Sequence, residues 1–429
     1  MSEERRLIDD CFLHDKDRLR HDEALAILNS SLSAIVGTET VPLKEASRRI
    51  LAQDVIAPRP IPLTDNAAVD GFAFRHDDVS ANSTVLSVSS RHTAGRAPGE
   101  PLMPGTAARI FTGAAMPEGA DTVGMQEDCF LIDRADGQFV EIPVGLKPGA
   151  NRRLAGEDVS AGDTIAKRHQ TLRPQDVAAV ASTGQAEITV FQRLKVGIVS
   201  SGDEIKRPGE EIHPGEVYDA NHFLLRSLLT ALDVTLEDFG VLPDRLEDVE
   251  NKLREMAERC DVILTSGGAS RGDEDHMLTA LDRLGKRHLW QLAVKPGRPM
   301  MFGQIRQQQR DAVLFGLPGN PVAVMVCYLM YVHPSLVRLG GGVFPEPQRY
   351  PVPSGFEIVK KKPDRREFVR SWLEQDGSNF KAVKFPQDGS GLISSLRAAS
   401  GLIEIPEEVT SLKIGEPVRY IPFSEFGIV

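Results

Sequence analysis

The chain has 429 residues, of which 41% are hydrophobic and 26% are charged, and its formal net charge is −11. These values are typical of a globular protein with roughly two to four domains. An acidic surface argues against broad nucleic-acid binding, which depends on neutralising backbone phosphates.

The cysteine pattern and the hydropathy favour a cytoplasmic protein without a membrane anchor. Cys11, Cys129, Cys260 and Cys327 are widely spaced and form no CxxC pair or Cys/His cluster. This spacing disfavours zinc and redox motifs, and free cysteines fit the cytosol. The N-terminus has no signal-peptide pattern. The longest apolar run, residues 322–332, is shorter than the roughly 20 residues that cross a bilayer, so it predicts a buried helix.

The first predicted elements are a helix and a β-rich insert. Leucines recur at helical spacing in residues 22–35, which predicts an amphipathic helix. Residues 50–150 are rich in Pro, Gly, Thr and Val, with short alternating runs that are typical of an all-β segment. Two motifs there, Asp65-Asn-Ala-Ala-Val-Asp-Gly-Phe-Ala73 and Phe111-Thr-Gly-Ala-Ala-Met-Pro-Glu-Gly-Ala-Asp121, indicate only turns when taken alone.

From about residue 190 strands and helices alternate, which predicts a parallel sheet with helices on both faces. In such sheets ligands bind outside the carboxyl ends of the strands. The predicted strands are residues 194–200, 234–240, 261–265, 290–294 and 312–315, and the predicted helices are residues 221–232, 244–258, 274–284 and 321–339.

Gly-rich loops follow these strands. Glycine lets the backbone approach a ligand, and successive N–H groups form an anion-binding concavity. Carboxylates beside an anion site usually imply a divalent cation. We therefore expect the first four loops to converge on one pocket for a phosphorylated or oxyanionic substrate and a metal. The loops are Ser200-Ser-Gly-Asp-Glu204, Thr265-Ser-Gly-Gly-Ala-Ser-Arg-Gly-Asp-Glu-Asp275, Lys295-Pro-Gly-Arg298, Gly316-Leu-Pro-Gly-Asn-Pro321 and, downstream, Gln387-Asp-Gly-Ser390.

Structural roles compete with these functional ones. Asn320 and Pro321 fit the N-cap and first position of a helix, so a tight turn explains them as well as an anion site does. Asp244-Arg-Leu-Glu247 matches a capping box. Lys295 and Arg298 either clamp an oxyanion or lie in a solvated turn.

Short strands return after about residue 345 and predict a small β domain. The run Lys360-Lys-Lys-Pro-Asp-Arg-Arg366 is usually a solvated loop. Arg370, on the next predicted strand, is the better candidate for an inward-facing cation.

Together these segments resemble the MoeA-like molybdopterin molybdotransferases, a family that includes the E domains of gephyrin. The match covers nearly the whole chain. The motifs that carry it, in order, are Asp65-Asn-Ala-Ala-Val-Asp-Gly-Phe-Ala73, Thr112-Gly-Ala-Ala-Met-Pro-Glu-Gly-Ala-Asp121, Gly156-Glu-Asp158, Ser201-Gly-Asp-Glu204 with Tyr218-Asp-Ala-Asn221, Thr265-Ser-Gly-Gly268, Lys295-Pro-Gly-Arg-Pro299 and Gly316-Leu-Pro-Gly-Asn-Pro321.

The resemblance implies a multidomain α/β plus β fold in four parts. An extended helical linker domain is formed by residues 1–57 and 151–190, and it carries an all-β insert at residues 58–150. An adenylyltransferase-like parallel α/β domain at residues 191–342 precedes a C-terminal β-barrel-like domain at residues 343–429. The resemblance also implies an elongated homodimer with its active site at the subunit interface.

The implied activity is that of a transferase, a molybdenum insertase. It takes molybdate and adenylylated molybdopterin, hydrolyses the adenylate with Mg²⁺, and releases molybdenum cofactor and AMP. The implied partners are a molybdopterin adenylyltransferase and molybdoenzyme acceptors or chaperones, with no nucleic acid and no membrane.

The motifs also carry residue roles by resemblance. The Mg²⁺ and phosphate-side acidic set is Asp203, Glu204, Asp244 and Asp275. The pterin or nucleotide side comprises Ser266, Gly267, Gly268, Gly316, Pro318, Gly319 and Asn320. The molybdate and phosphate group comprises Lys295, Arg298, Arg370 and Ser390. The catalytic residues that reach in from the insert side are Asp70, Thr112 and Asp158.

The chain departs from the family pattern at three places. Gln291 stands where many members have lysine, Arg298 replaces a lysine, and Arg271 adds a cation to the acidic loop. These changes leave two alternatives open: a specialised or non-catalytic pterin-binding paralogue, and a molybdopterin adenylyltransferase.

Overall fold

Two separate segments of the N-terminal part of the chain, residues 38–67 and 152–191, pair with each other through short strands. The computed structural model describes residues 18–80, 83–267, 276–307 and 310–428. Three short antiparallel pairs join the two segments, β1 with β12, β2 with β11 and β3 with β10. The elements are α1 (His21–Ser31), β1 (Thr38–Pro42), β2 (Val55–Ile56) and β3 (Asn66–Ala67), and in the second segment β10 (Arg152–Arg153), β11 (Thr164–Ala166), α2 (Pro174–Ser182) and β12 (Glu187–Phe191).

The residues between these two segments in the chain form a six-stranded sheet, as the composition of this stretch predicted. Its strand order is β7-β4-β6-β5-β9-β8, and only the β5–β6 pair is parallel among the pairs in this sheet. Both faces pack apolar side chains. The strands are β4 (Gly71–Phe74), β5 (Thr84–His92), β6 (Thr106–Ile110), β7 (Thr122–Met125), β8 (Phe130–Arg134) and β9 (Gly137–Ile142).

The central domain holds a second six-stranded sheet, with strand order β16-β13-β17-β21-β20-β18. Its first part runs β13 (Leu194–Ser201), β14 (Ile205–Lys206), β15 (Val217–Tyr218), α3 (Ala220–Leu229), β16 (Val234–Leu242), α4 (Leu246–Arg259) and β17 (Val262–Ser266). It continues with α5 (His276–Leu284), β18 (Gly285–Gln291), β19 (Val294–Lys295), β20 (Pro299–Ile305) and β21 (Ala312–Leu317).

The sheet is parallel in four strands, as predicted, and differs from the prediction at one edge. The four strands β16, β13, β17 and β21 are parallel, but β20 and β18 run antiparallel. Only short connections separate these last strands, whereas a parallel pair needs a crossover of a dozen or more residues. The strand expected at residues 290–294 is therefore two strands: β18 ends at Gln291, and β19 leaves the central sheet.

One long helical segment forms the centre of the core. It comprises α6 (Pro321–Cys327), a π-helical stretch (Tyr328–Val332) and α7 (His333–Leu339). By length and composition the segment could cross a membrane, but 94% of its most apolar stretch is buried inside the protein. The burial confirms the predicted core helix.

The C-terminal sheet reaches into the central domain. Its strand order is β19-β23-β25-β26-β22, and β24 pairs with β23. Strand β19 joins it by parallel pairing, with Val294 opposite Arg366 and Lys295 opposite Glu367. The remaining elements are β22 (Tyr350–Pro353), β23 (Arg366–Asp376), β24 (Asn379–Lys384), α8 (Ile393–Ala398), β25 (Gly401–Ile405) and β26 (Pro417–Pro422).

A buried ionic network links α1 to this sheet. The Arg366 guanidinium donates to Asp22 at 2.8 Å, to Glu404 at 2.7 Å and to Glu407 at 2.9 Å. Removing Arg366 would leave the buried Glu407 carboxylate without its ion-pair partner, and breaking a buried ion pair in this way typically costs about 3–5 kcal/mol.

The basic run at residues 360–366 is exposed loop at residues 360 and 362–364, as its composition favoured, but the prediction is wrong for Lys361 and Arg366. Arg366 is buried in this network, and Lys361 is only 4% exposed. The Lys361 ammonium donates to the backbone carbonyls of Arg365 at 2.8 Å and Glu407 at 3.2 Å. Backbone oxygens and distant carboxylates stabilise these cations, and neither partner is visible in the local sequence.

Two buried histidines make the stability of this fold depend on pH. His21 forms a 2.8 Å hydrogen bond through Nδ1 with the Tyr331 hydroxyl. Burial lowers the pKa of His21 to about 3 and that of His333 to about 4. Below the ordinary pKa of 6.5 the unfolded chain therefore binds protons that the folded chain excludes.

We expect the free energy of unfolding to fall as the pH drops from 6.5 towards 4, by roughly 1.4 kcal/mol per histidine and pH unit. Denaturant unfolding at several pH values measures this slope. His21→Gln should make the slope shallower, whereas the same change at the exposed His213 should not. An unchanged slope in the His21 variant would contradict the assignment.

Candidate functional site

Three parallel strands of the central sheet end at one rim. Ser200 of β13 lies opposite Ser266 of β17, and Ser266 lies opposite Leu317 of β21. The Ser200 and Ser266 hydroxyls are 3.2 Å apart. Three of the four predicted loops therefore start side by side, which is the convergence expected from the parallel topology.

Gly267 is required by the close approach of these strands. Its backbone N–H donates to the Leu317 carbonyl at 3.1 Å, and its φ is +88°. A Cβ at this position would lie 2.4 Å from the Ser201 carbonyl oxygen. The next residue in the motif, Gly268, lies outside the described residues.

The two glycines of the next loop differ in their surroundings. Gly316 lies within β21, where a Cβ would lie 2.6 Å from the Met301 methyl carbon, so packing explains this glycine. At Gly319 a Cβ would meet nothing within 4 Å. The fold does not require glycine at residue 319, which leaves space for a ligand to approach the backbone.

Helix α6 begins where the sequence predicted. Asn320 is its N-cap and Pro321 its first residue, but the Asn320 side chain makes no capping hydrogen bond. The turn is fixed by other groups: the Asn221 side-chain amide donates to the Gly319 carbonyl at 2.7 Å, and the Val322 N–H donates to the Ser390 carbonyl at 3.1 Å.

An acidic edge lies beside the rim. The Asp244 backbone N–H donates to Asp203 Oδ1 at 3.0 Å, and both side chains are exposed. The Glu204 carboxylate lies over Gly202, with an oxygen 2.5 Å from the position that a Cβ there would take. Glu204 is exposed as well, so all three carboxylates remain accessible.

The capping box expected at Asp244 does not form. Helix α4 begins at Leu246 with Arg245 as its N-cap, and this cap makes no side-chain hydrogen bond. Because Asp244 precedes the N-cap, it does not serve the helix in the expected way. The structural alternative for this carboxylate is therefore wrong.

The donor chemistry of this edge fits Mg²⁺ in part. Among the described residues no group of three His, Cys, Asp or Glu side chains is arranged to hold a metal, and Asp275 lies outside them. Mg²⁺ commonly takes only one or two protein carboxylates and completes its shell with water and substrate phosphates. The neighbouring Asp203 and Asp244 match that requirement.

A cationic cavity of about 290 Å³ lies where β19 and β23 meet the α6 turn. Its position corrects one expectation, because Lys295 does not follow a strand of the central sheet. It reaches the rim through β19 instead, and Pro318 and Asn320 line the same cavity. The charged residues of the lining are Lys295, Arg298, Arg365 and Arg370 with Glu367 and Asp388.

Glu367 holds two of these cations. Its carboxylate accepts from Arg365 Nε at 2.9 Å and lies 3.6 Å from Lys295 Nζ. The Lys295 side chain remains 40% exposed. The lysine is thus oriented but still accessible to an anion in the cavity.

Arg370 is the most buried of these cations, at 4% exposure. Its Nε donates to the Ser395 hydroxyl at 3.0 Å, and its Nη2 donates to the carbonyls of Gln387 and Gly389 at 3.0 Å each. Burial lowers the pKa of the guanidinium. Within the described part of the chain Arg370 has no ion pair, and the Asp388 carboxylate in the same cavity acts on it only at longer range by raising its pKa.

The acidic edge and the cationic cavity lie on either side of the turn at residues 317–320. On the side of the acidic edge, the Gly267 N–H is hydrogen-bonded to the Leu317 carbonyl. On the other side, Pro318 and Asn320 line the cationic cavity. In the sheet order the carboxylates follow β13 and β16, and β17 lies between them and β21, whose following turn lines the cavity.

The predicted residues of the insert side make hydrogen bonds within their own region. Thr112 donates to Asp70 Oδ1 from both its N–H and its hydroxyl, each at 2.8 Å, and these bonds lower the pKa of Asp70. The Asp158 N–H donates to the Ile61 carbonyl at 3.1 Å. No hydrogen bond or ion pair of the described residues links Asp70, Thr112 or Asp158 to the rim.

Sequence reasoning missed four residues of this site. Arg365 was assigned to a solvated loop, and nothing in the local sequence marked Glu367 or Ser395. Asn221 was quoted in the motif Tyr218-Asp-Ala-Asn221 but received no role. The signal for Asn221 was its place at the start of a helix beside the rim.

Three family models match the chain in succession. The MoeA N-terminal region, domains I and II, matches residues 19–184. A probable molybdopterin binding domain matches residues 197–338. The MoeA C-terminal region, domain IV, matches residues 357–423.

Individual relatives agree with these models. The chain is 34% identical to the molybdopterin molybdenumtransferase of Haemophilus influenzae, over 94% of this chain and 98% of that protein. It is 26% identical to the gephyrin of Dictyostelium discoideum, over 93% of this chain and 61% of gephyrin. A solved molybdopterin biosynthesis moeA protein from Pyrococcus horikoshii is 29% identical, with a TM-score of 0.79 over 95% of this chain and 100% of that chain.

We expect Gly267→Ala to lower the free energy of unfolding by about 2–4 kcal/mol, because a Cβ combines positive-φ strain with overpacking against Ser201. Gly319→Ala is the matched control and should change stability by less than about 0.5 kcal/mol. Chemical denaturation of both variants measures the difference. Equal stability of the two would contradict the account of Gly267.

Proposed function

Because the chain belongs to the MoeA family, we propose that it inserts molybdenum from molybdate into adenylylated molybdopterin and releases AMP in an Mg²⁺-dependent reaction. Relatives that match nearly the full chain are named molybdopterin molybdenumtransferases. The chain is accordingly a transferase of molybdenum cofactor biosynthesis, and its substrate is a molybdopterin.

The observation that carries the finer proposal is the buried cation Arg370. The hydrogen-bond partners of this guanidinium are all neutral, although the Asp388 carboxylate in the same cavity raises its pKa electrostatically, and burial in a cavity strengthens the attraction for a ligand anion. Lys295 and Arg298 line the same cavity. These cations would bind the molybdate dianion through charge-assisted hydrogen bonds, and they would orient it towards the molybdopterin sulfurs.

The rim would bind the adenylate side of the substrate. Gly319 offers backbone that a ligand can approach closely. The serines at the ends of β13 and β17 offer hydroxyls at the same edge. Such groups suit phosphate oxygens and exclude bulk water from the phosphate bridge.

Mg²⁺ would be held by Asp203 and Asp244, with Glu204 close by. When bound, it would neutralise charge on the phosphate bridge of the adenylate. The carboxylates and the cationic cavity lie along the same rim of the central sheet, so that one extended substrate would meet both.

A complete site would need a second copy of the chain. In one chain, the Asp70–Thr112 pair and Asp158 make their hydrogen bonds away from the rim. We propose a cytoplasmic homodimer in which these residues reach the cavity of the partner. A closed two-fold dimer would form two such sites.

Purified protein should release AMP from adenylylated molybdopterin only when both molybdate and Mg²⁺ are present, as measured by chromatography. Arg370→Gln should reduce this rate roughly 10²–10³-fold, by analogy with oxyanion-stabilising donors. The matched control is Arg397→Gln, at an exposed site on α8, which should retain the full rate. Tight binding without AMP release would instead support a carrier.

Mixing two inactive variants tests the shared site. Asp70→Asn and Arg370→Gln should each be inactive alone, and random mixed dimers should recover about a quarter of the wild-type rate, because one site per mixed dimer is intact. The measurement is AMP release after joint refolding or co-expression. No recovery in a verified mixed dimer would show that each chain builds its own site.

A further inference from the structure

We propose that Ser395 is a positioning residue for the oxyanion site, where it fixes Arg370 so that Nη1 faces the cavity. This inference rests on the proposed function of the cavity and deepens it. Ser395 lies on α8 and is fully buried, whereas Arg370 lies on β23. The two residues come from separate elements and are joined by one hydrogen bond.

The Ser395 hydroxyl both accepts and donates a hydrogen bond. It accepts from Arg370 Nε at 3.0 Å and donates to the Leu392 carbonyl at 2.5 Å. Because its only proton goes to Leu392, the hydroxyl has to present a lone pair to the guanidinium. Leu392 is the N-cap of α8, so the start of this helix sets the direction of the serine and, through it, of the arginine.

The other hydrogen bonds of Arg370 restrict how it can meet an anion. Nη2 has two N–H groups, and the carbonyls of Gln387 and Gly389 provide one acceptor for each. Nη1 makes no hydrogen bond to the described residues, and it is not among their buried atoms that lack a partner. Nη1 therefore keeps access to the cavity that Arg370 lines.

This arrangement predicts that the oxyanion contacts the guanidinium through Nη1 alone. The usual two-pronged guanidinium contact pairs Nη2 with Nε or with Nη1, but here Nε and Nη2 are already bound to the protein. An oxyanion would be met by the two protons of Nη1. Without Ser395, Nε would become a buried donor with no acceptor, and the guanidinium would turn to find one.

We expect Ser395→Ala to raise the apparent KM for molybdate roughly tenfold or more, since a bond to a charged group is lost. The KM for adenylylated molybdopterin should change less than about twofold, because that substrate binds mainly at the rim. Ser395→Thr keeps the hydroxyl and should restore most of the molybdate affinity. A purely structural role would shift both KM values together.

The matched control is Ser394→Ala. Ser394 is the preceding residue on α8 and is exposed, so the same chemical change there should leave both KM values at the wild-type level. Thermal unfolding of every variant establishes that the chain is folded.

A double-variant cycle tests whether Ser395 acts through Arg370. Lysine has no Nε, so Ser395→Ala added to Arg370→Lys should produce no further rise in the KM for molybdate. The same rise in both backgrounds would overturn the proposal. So would an unchanged KM for molybdate in Ser395→Ala.

Direct binding separates this inference from the proposed function. Titration calorimetry with molybdate alone should show binding to the wild type and at least roughly tenfold weaker binding to Ser395→Ala. If the wild type binds molybdate but releases no AMP, the proposed activity fails, but the difference in molybdate affinity between the wild type and Ser395→Ala still tests the role of Ser395. If the wild type binds no molybdate, both proposals fail.

Discussion

The site depends on one short stretch of parallel backbone pairing. Strand β19 leaves the central sheet and pairs with β23, so that Lys295 lies opposite Glu367. Arg370 follows three residues later on β23, and the Lys295 turn therefore faces it across a cavity shared with the α6 turn. A shift of this register by one residue would place Lys295 opposite Arg366 or Phe368, whose side chains point to the other face of the strand, and the ion pair that orients Lys295 would be lost.

Buried groups hold that pairing in place. Val294 lies opposite Arg366, whose guanidinium binds carboxylates from α1 and from the C-terminal domain. The neighbouring helical segment is almost wholly buried and packs with α1 and the C-terminal sheet in one apolar cluster. Apolar burial supplies the driving force for this assembly, whereas the ionic network is directional and specifies which strand meets which.

The turn at residues 317–320 separates two kinds of chemistry. On one side lie exposed carboxylates, and a backbone N–H reaches the end of β21. On the other side a buried guanidinium has only neutral partners. Because β17 lies between the acidic edge and the strand that leads to this turn, each kind of charge stays available, and in the proposed function each would meet a different part of one substrate.

The sequence alone determined the central parallel strands, the buried helix, the convergence of the loops at Ser201, Ser266 and Gly316, and the family, because periodicity and motif order are local properties of the chain. The exact domain boundaries and the residue roles stay predictions. Tertiary structure decided the antiparallel edge, the capture of β19 by the C-terminal sheet, and the burial of Lys361 and Arg366 in a run that looked solvated. It also decided that Ser395 supports Arg370 and that Asp244 does not cap its helix. Each of these depends on contacts between residues far apart in the chain, whose partners a local pattern does not contain.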